Sequence, residues 1–154
     1  MEIVWGGASN PDDNFKMGAW CANQIWPGQG KTFDSFTTMG MIRKGNLVAV
    51  VVFHNWQPDN GVIEMSGASI DKRWLTRRTL HEMFSYCFDK AGCQLVVMRT
   101  SANSKVLNRI MKPYGFKSHR IPRLRGRHED EIINTLTDDD WKNNKFEQNP
   151  FSRI

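Results

Sequence analysis

Residues 62–78 read VIEMSGASIDKRWLTRR, from Val62 to Arg78, and they decide the fold because a strand-forming run passes there into the start of a helix. A strand period over Val62–Ile70 places Val62, Glu64, Ser66 and Ala68 on one face. From Leu75 to Ala91 the apolar residues Leu80, Met83, Phe84, Cys87, Phe88 and Ala91 recur at helical spacing, and Gly92 stands where a helix-ending glycine belongs.

Upstream, Gln57-Pro58-Asp59-Asn60-Gly61 is strong turn chemistry, because proline presets one dihedral and Asn-Gly tolerates positive φ. Two further β-rich runs, Thr37–Arg43 and Leu47–Trp56, flank Lys44-Gly45-Asn46, so the three runs predict an antiparallel meander. Before them, Asn14–Ile25 reads as a helix with Asp12 or Asp13 as N-cap and Pro27-Gly28 as its stop.

Downstream, Leu95-Val96-Val97-Met98 within Cys93–Thr100 predicts a buried strand. Ser104–Met111 predicts a helix, with Pro113 and Gly115 ending it. A basic stretch from His119 to His128 follows, then a strand over Glu131–Thr137 and a short helix opened by Asp138-Asp139-Asp140-Trp141. Residues 143–154 read as a polar tail. The expected fold class is α/β: one domain over residues 1–154 on a mixed sheet flanked by helices.

Composition narrows the field. In 154 residues, 40% hydrophobic and 24% charged content suits a soluble globular domain. The longest apolar run, Leu47–Phe53, is far short of the ~20 residues of a spanning helix, and no leader pattern opens the chain, so a cytoplasmic protein without membrane association is expected. Three cysteines without CxxC spacing suggest neither a disulfide framework nor a metal site. A net charge of +5 favours an anionic ligand or partner.

Several stretches together resemble the GNAT acetyltransferase family, from about Thr37 to Trp141. They are Val52-Phe53-His54-Asn55, Ile63-Glu64-Met65-Ser66, Arg73-Trp74-Leu75-Thr76-Arg77-Arg78 and Tyr114-Gly115-Phe116. The likeness is closest to small GNAT proteins encoded by phages and prophages, which implies a host cytoplasm. It implies a mostly antiparallel sheet with a V-shaped splay between its central strands, acetyl-CoA as cofactor, and transfer of acetyl to an amine of a protein or small molecule in a ternary complex. A homodimer is compatible with it.

By that resemblance the backbone of Met65, Ser66, Ala68 and Ile70 would pair with the pantetheine arm. The following loop would hold the pyrophosphate at a helix N-terminus, where the dipole favours an anion. Here Thr76 and Arg78 replace the family's two small residues, so Arg73, Arg77 and Arg78 become candidates to grip phosphate with their side chains. Asn103 stands either as a cofactor contact or as the N-cap of the next helix.

Glu64 lies on the strand that would border the acetyl group. It reads as the general base, or alternatively as a solvent-facing or salt-bridged edge residue. His54 is a second candidate base because its unperturbed pKa is near neutrality. Met111 occupies the position where many relatives carry a tyrosine acid, which leaves Tyr114 as the nominee, or as packing. Lys117, His119, Arg120, Arg123, Arg125, Arg127 and His128 form either a solvated hairpin or a surface for an acidic protein or a nucleic-acid backbone. Two rival readings keep the fold: a Mom-like modifier of a base in DNA, which would need base flipping, and a noncatalytic binding module.

Overall fold

The computed structural model describes residues 1–147. One seven-stranded sheet runs through the molecule, comprising β1 (Glu2–Trp5), β2 (Thr37–Arg43), β3 (Asn46–Gln57), β4 (Val62–Ser69), β5 (Leu95–Ser101), β6 (Lys117–Ile121) and β7 (Glu131–Thr137). Their spatial order is β1-β2-β3-β4-β5-β7-β6. Only β4 and β5 are parallel neighbours; all other pairs are antiparallel. The expected mixed, mostly antiparallel α/β architecture is what the chain adopts.

Strand alternation divides the side chains between two cores. Met39, Met41, Ala49, Val51, Phe53, Ile63, Met65 and Val96 face one way and pack with Leu80, Met83 and Phe84 of helix α2 (Arg77–Ser85). Met111 and Tyr114 of α3 (Lys105–Tyr114) and Trp141 of α4 (Asp138–Asn143) join the same core. Val50 and Val52 face the other way, against Met17 and Cys21 of α1 (Pro11–Ile25). Helix α1 sits close because residue 18 is glycine: a Cβ there would lie 2.4 Å from the Phe36 ring.

Helix α1 begins earlier than expected, with Asn10 as N-cap and Pro11 in the first turn, so Asp12 and Asp13 are first-turn acids and not caps. The long Leu75–Ala91 helix is shorter at its start, and its last turn, Tyr86–Lys90, is wound as a π-helix. Helix α3 runs through Pro113 to Tyr114, and Gly115, at φ 114°, ends it in the left-handed region. Strand β1 was not anticipated. The start of the expected polar tail packs in part: Phe146 meets the Tyr114 ring at 5.6 Å, and Asn144 is buried. The rest of that tail, residues 148–154, lies outside the described residues.

Candidate active site

The central feature of the sheet is where β4 and β5 part. Their register runs Val62↔Leu95, Ile63↔Val96, Glu64↔Val97 and Met65↔Met98, and stops. Beyond it, β4 continues against β3 through Ser66, Gly67, Ala68 and Ser69, while β5 continues against β7 to Ser101. Between Ser66–Ser69 and Arg99–Ser101 the sheet is therefore split, with a row of β4 backbone groups facing the gap without a β5 partner.

At the apex of this split a polar group sits on the face that α1 covers only in part. His54 and Glu64 are cross-strand partners. His54 Nε2 is 2.8 Å from Ser66 Oγ and 3.7 Å from Glu64 Oε2. Both contacts use the same ring nitrogen, so the three do not form a serine–histidine–acid relay, which needs the hydroxyl and carboxylate on opposite nitrogens. Burial lowers the His54 pKa, and the Glu64 charge opposes that shift only in part, so the ring is neutral at pH 7.

Asn55 was not singled out from the sequence. It sits in a register shift of β3 between His54 and Gln57, with φ at 49°, and its Nδ2 donates to Glu64 Oε1 at 2.9 Å. Asparagine is among the residues that tolerate this left-handed conformation, and such bulges re-aim side chains beside functional sites. Glu64 is thus held by Asn55 on one oxygen and flanked by His54 on the other. It opens onto a cavity of about 290 Å³ lined by Asn55, Gln57, Val62, Val97, Arg99 and Ile133.

Arg99 was also missed. Its Nε and Nη2 both donate to Glu131 Oε2, at 3.1 and 2.7 Å, while Glu131 Oε1 accepts from Arg125 Nη1 at 2.9 Å. A single buried carboxylate is thereby shared by two guanidinium groups. The Arg99 pKa is raised, chiefly by its hydrogen bonds to Glu131 and in lesser part by the charges of Glu131 and Glu64. The only hint in the sequence is a cation ending an apolar run, Leu95-Val96-Val97-Met98-Arg99.

The basic loop after β4 is more ordered than its sequence suggested. Asp71 caps a short 3-10 turn, Lys72–Trp74, and takes the Arg73 guanidinium through two 3.0 Å hydrogen bonds, so Arg73 is already held. Thr76 is the N-cap of α2 and forms a reciprocal capping box with Thr79. Its φ of −124° is ordinary extended backbone, so this position does not call for glycine. Arg77 lies over the Phe146 ring at 4.6 Å, and Arg78 Nη1 donates to the Met1 carbonyl at 3.3 Å. A larger groove, about 790 Å³, runs beside this loop and is lined by Arg43, Lys44, Lys72 and Arg73 with Asp71.

Three candidates stand elsewhere. Tyr114 is buried against Phe84 in the opposite core, its hydroxyl donates to Glu147 at 3.4 Å, and burial pushes its pKa up; the structure does not bring it to Glu64 and His54. Asn103 is exposed at the end of β5, and the N-cap of α3 is Ser104, so the capping alternative for Asn103 falls away. In the basic stretch, Lys117–Ile121 is a fully exposed edge strand. Arg120 pairs with Asp130 and Arg125 with Glu129 and Glu131, which leaves Arg123 and Arg127 among the exposed cations. All three cysteines are buried, and burial pushes the Cys21 thiol up to about 12, so none is poised as a nucleophile.

No family model matches the chain, and no curated protein matches it. Solved structures do. The spermidine N-acetyltransferase SpeG of Vibrio cholerae is similar at 9% identity and a TM-score of 0.72, over 93% of this chain and 98% of that one. YncA of Salmonella typhimurium, solved with its cofactor acetyl-CoA, is similar at 13% identity and a TM-score of 0.64, over 88% of this chain and 92% of that one. The structure of a protein described as a probable acetyltransferase matches at 15% identity and a TM-score of 0.59, with 68% of this chain spanning 62% of its length. These likenesses show that the chain has the GNAT acetyltransferase fold. Among the described residues, no helix is long and apolar enough to cross a membrane.

Proposed function

We propose that this protein is an acetyl-CoA-dependent N-acetyltransferase that passes acetyl directly to an amine. The observation that carries the reading is the end of β4–β5 pairing at Met65↔Met98, with Glu64 one residue before it and facing a cavity. The residues present fit the cofactor. The unpaired β4 edge over Ser66–Ser69 can receive an extended amide chain as a further strand would. The start of α2, with Thr76 as cap and Arg77 and Arg78 in its first turn, suits a pyrophosphate.

Acetyl-CoA, when bound, supplies a thioester carbonyl that the amine nitrogen attacks, the N–C bond forming as the C–S bond breaks. Glu64 removes the proton that would keep the acceptor a cation, directly or through a water. Asn55 holds the carboxylate by a hydrogen bond, and neutral His54 beside it adds no charge that would compete with the incoming ammonium. A backbone amide near Met65 or Ser66, where β4 loses its β5 partner, would donate to the carbonyl oxygen. Tyr114, buried in the opposite core, is not required, because water or the proton that the acylated nitrogen must lose would serve the thiolate of CoA.

Calorimetric titration with acetyl-CoA and CoA tests the reading. Wild type should bind at micromolar strength, Arg78→Ala should weaken binding, and Glu64→Gln should leave binding intact while lowering acetyl transfer about 10²–10⁴-fold. Absence of binding by wild type would sink it.

A further inference from the structure

The acceptor cavity holds two opposite charges, and only one is needed for an amine. Glu64 belongs to β4 and Arg99 to β5, and both line the same cavity. Arg99 is two residues beyond Val97, the register partner of Glu64. At a rise of about 3.3 Å per residue and a paired-strand spacing of about 4.8 Å, their Cα atoms would stand roughly 8 Å apart, and somewhat more because the strands part beyond Met65↔Met98. The two side chains can therefore engage the two ends of one small molecule.

The guanidinium is built to receive an anion. Nε and Nη2 are anchored on one oxygen of Glu131, a residue 3% exposed, and among the described residues Nη1 has no hydrogen-bond partner. Glu131 also serves Arg125, so its single negative charge does not neutralise Arg99 fully. The Arg99 side chain is 44% exposed, which leaves it open to a ligand while its orientation is fixed from behind. Such a preorganised guanidinium favours a carboxylate. The remaining lining pairs aliphatic Val62, Val97 and Ile133 with the amides of Asn55 and Gln57. At about 290 Å³, the cavity is at the small end for ligand sites.

We infer that the acceptor is a small amine bearing a carboxylate, an amino-acid-like zwitterion whose ammonium meets Glu64 and whose carboxylate meets Arg99. The inference rests on the acetyltransferase reading. A polyamine is disfavoured at this site because its further cationic nitrogens would run toward Arg99, with no second free carboxylate in the lining.

Purified full-length protein is assayed for CoA thiol release with acetyl-CoA and a panel of the standard amino acids, the α-amides of leucine, methionine and glutamate, and spermidine. At least one amino acid should exceed spermidine, and should exceed its own amide by tenfold or more in kcat/KM, mostly through KM. In Arg99→Gln and Arg99→Lys, thermal melts confirm folding, and the acid-to-amide ratio should fall toward one in the first and less in the second. Equal use of acid and amide, preference for spermidine, or no reaction with any amino acid by a protein that binds acetyl-CoA would each overturn the inference and leave the acetyltransferase reading standing. Failure to bind acetyl-CoA in calorimetry would overturn both.

Discussion

Asn55 couples backbone conformation to chemistry, and two substitutions separate its roles. A left-handed φ costs most L-residues about 1–2 kcal/mol, a cost glycine avoids. Asn55→Gly should therefore keep stability in denaturant melts while lowering kcat, because the amide on Glu64 is gone; Asn55→Ala should lower both. His54 carries a pH signature. Its pKa in the folded chain lies below the ordinary 6.5 because it is buried, so the unfolded chain binds a proton that the folded chain refuses. Its contribution to stability is present above about pH 6.5 and is lost as pH falls through that value toward the folded pKa. Denaturant midpoints measured from pH 7 to pH 5 should fall more steeply for wild type than for His54→Gln. From the sequence, Glu64 and His54 were legible as chemistry-bearing residues on adjacent strands. Their partnership was not, because it depends on a cross-strand register that a bulge at Asn55 adjusts, and no local pattern marks that bulge.

Short elements were the hardest to read. The meander from Thr37 to Ser69 was plain because each turn carries glycine and each strand a long β-branched or aliphatic run. Strand β1, four residues at the sheet edge, is too short to show the alternation that betrays a half-buried strand, and β6, exposed along its whole length, could be expected as a second strand beside β7 but not given bounds. At the start of α2, Thr76 looked like a departure from a glycine-rich loop, and its capping box with Thr79 shows what it does instead. Thr76→Ala should cost about 1 kcal/mol of stability, read from equilibrium unfolding. The turn before it restrains Arg73: hydrogen bonding to Arg73 holds the Asp71 carboxyl at about 2. Asp71→Asn should loosen that guanidinium and, if it serves the phosphates, tighten acetyl-CoA binding severalfold in low salt by calorimetry; unchanged affinity would remove Arg73 from the cofactor site.

Across the whole molecule, the sheet has a core on each face, and the larger one is centred on aromatic packing of Phe84 with Phe88, Tyr114 and Phe116. Phe84→Ala should cost about 3–5 kcal/mol in denaturant unfolding, since a side chain 1% exposed leaves a cavity that its neighbours cannot fill. The basic stretch is less available to a partner than its run of cations suggests, because Arg120 and Arg125 are paired with acids of their own hairpin. The split between β4 and β5 also has a mechanical meaning. Within the sheet, strands β1–β4 and β5–β7 form two plates joined edge to edge by one short seam of four residue pairs, at Val62–Met65, while the core under α2 packs against both. A molecule lying in the open wedge would brace the plates apart at a fixed angle. Bound acetyl-CoA should therefore slow amide exchange at Ser66–Ser69 and also in β7, which pairs with β5 along its far edge, so a strand that never touches the ligand would register its arrival.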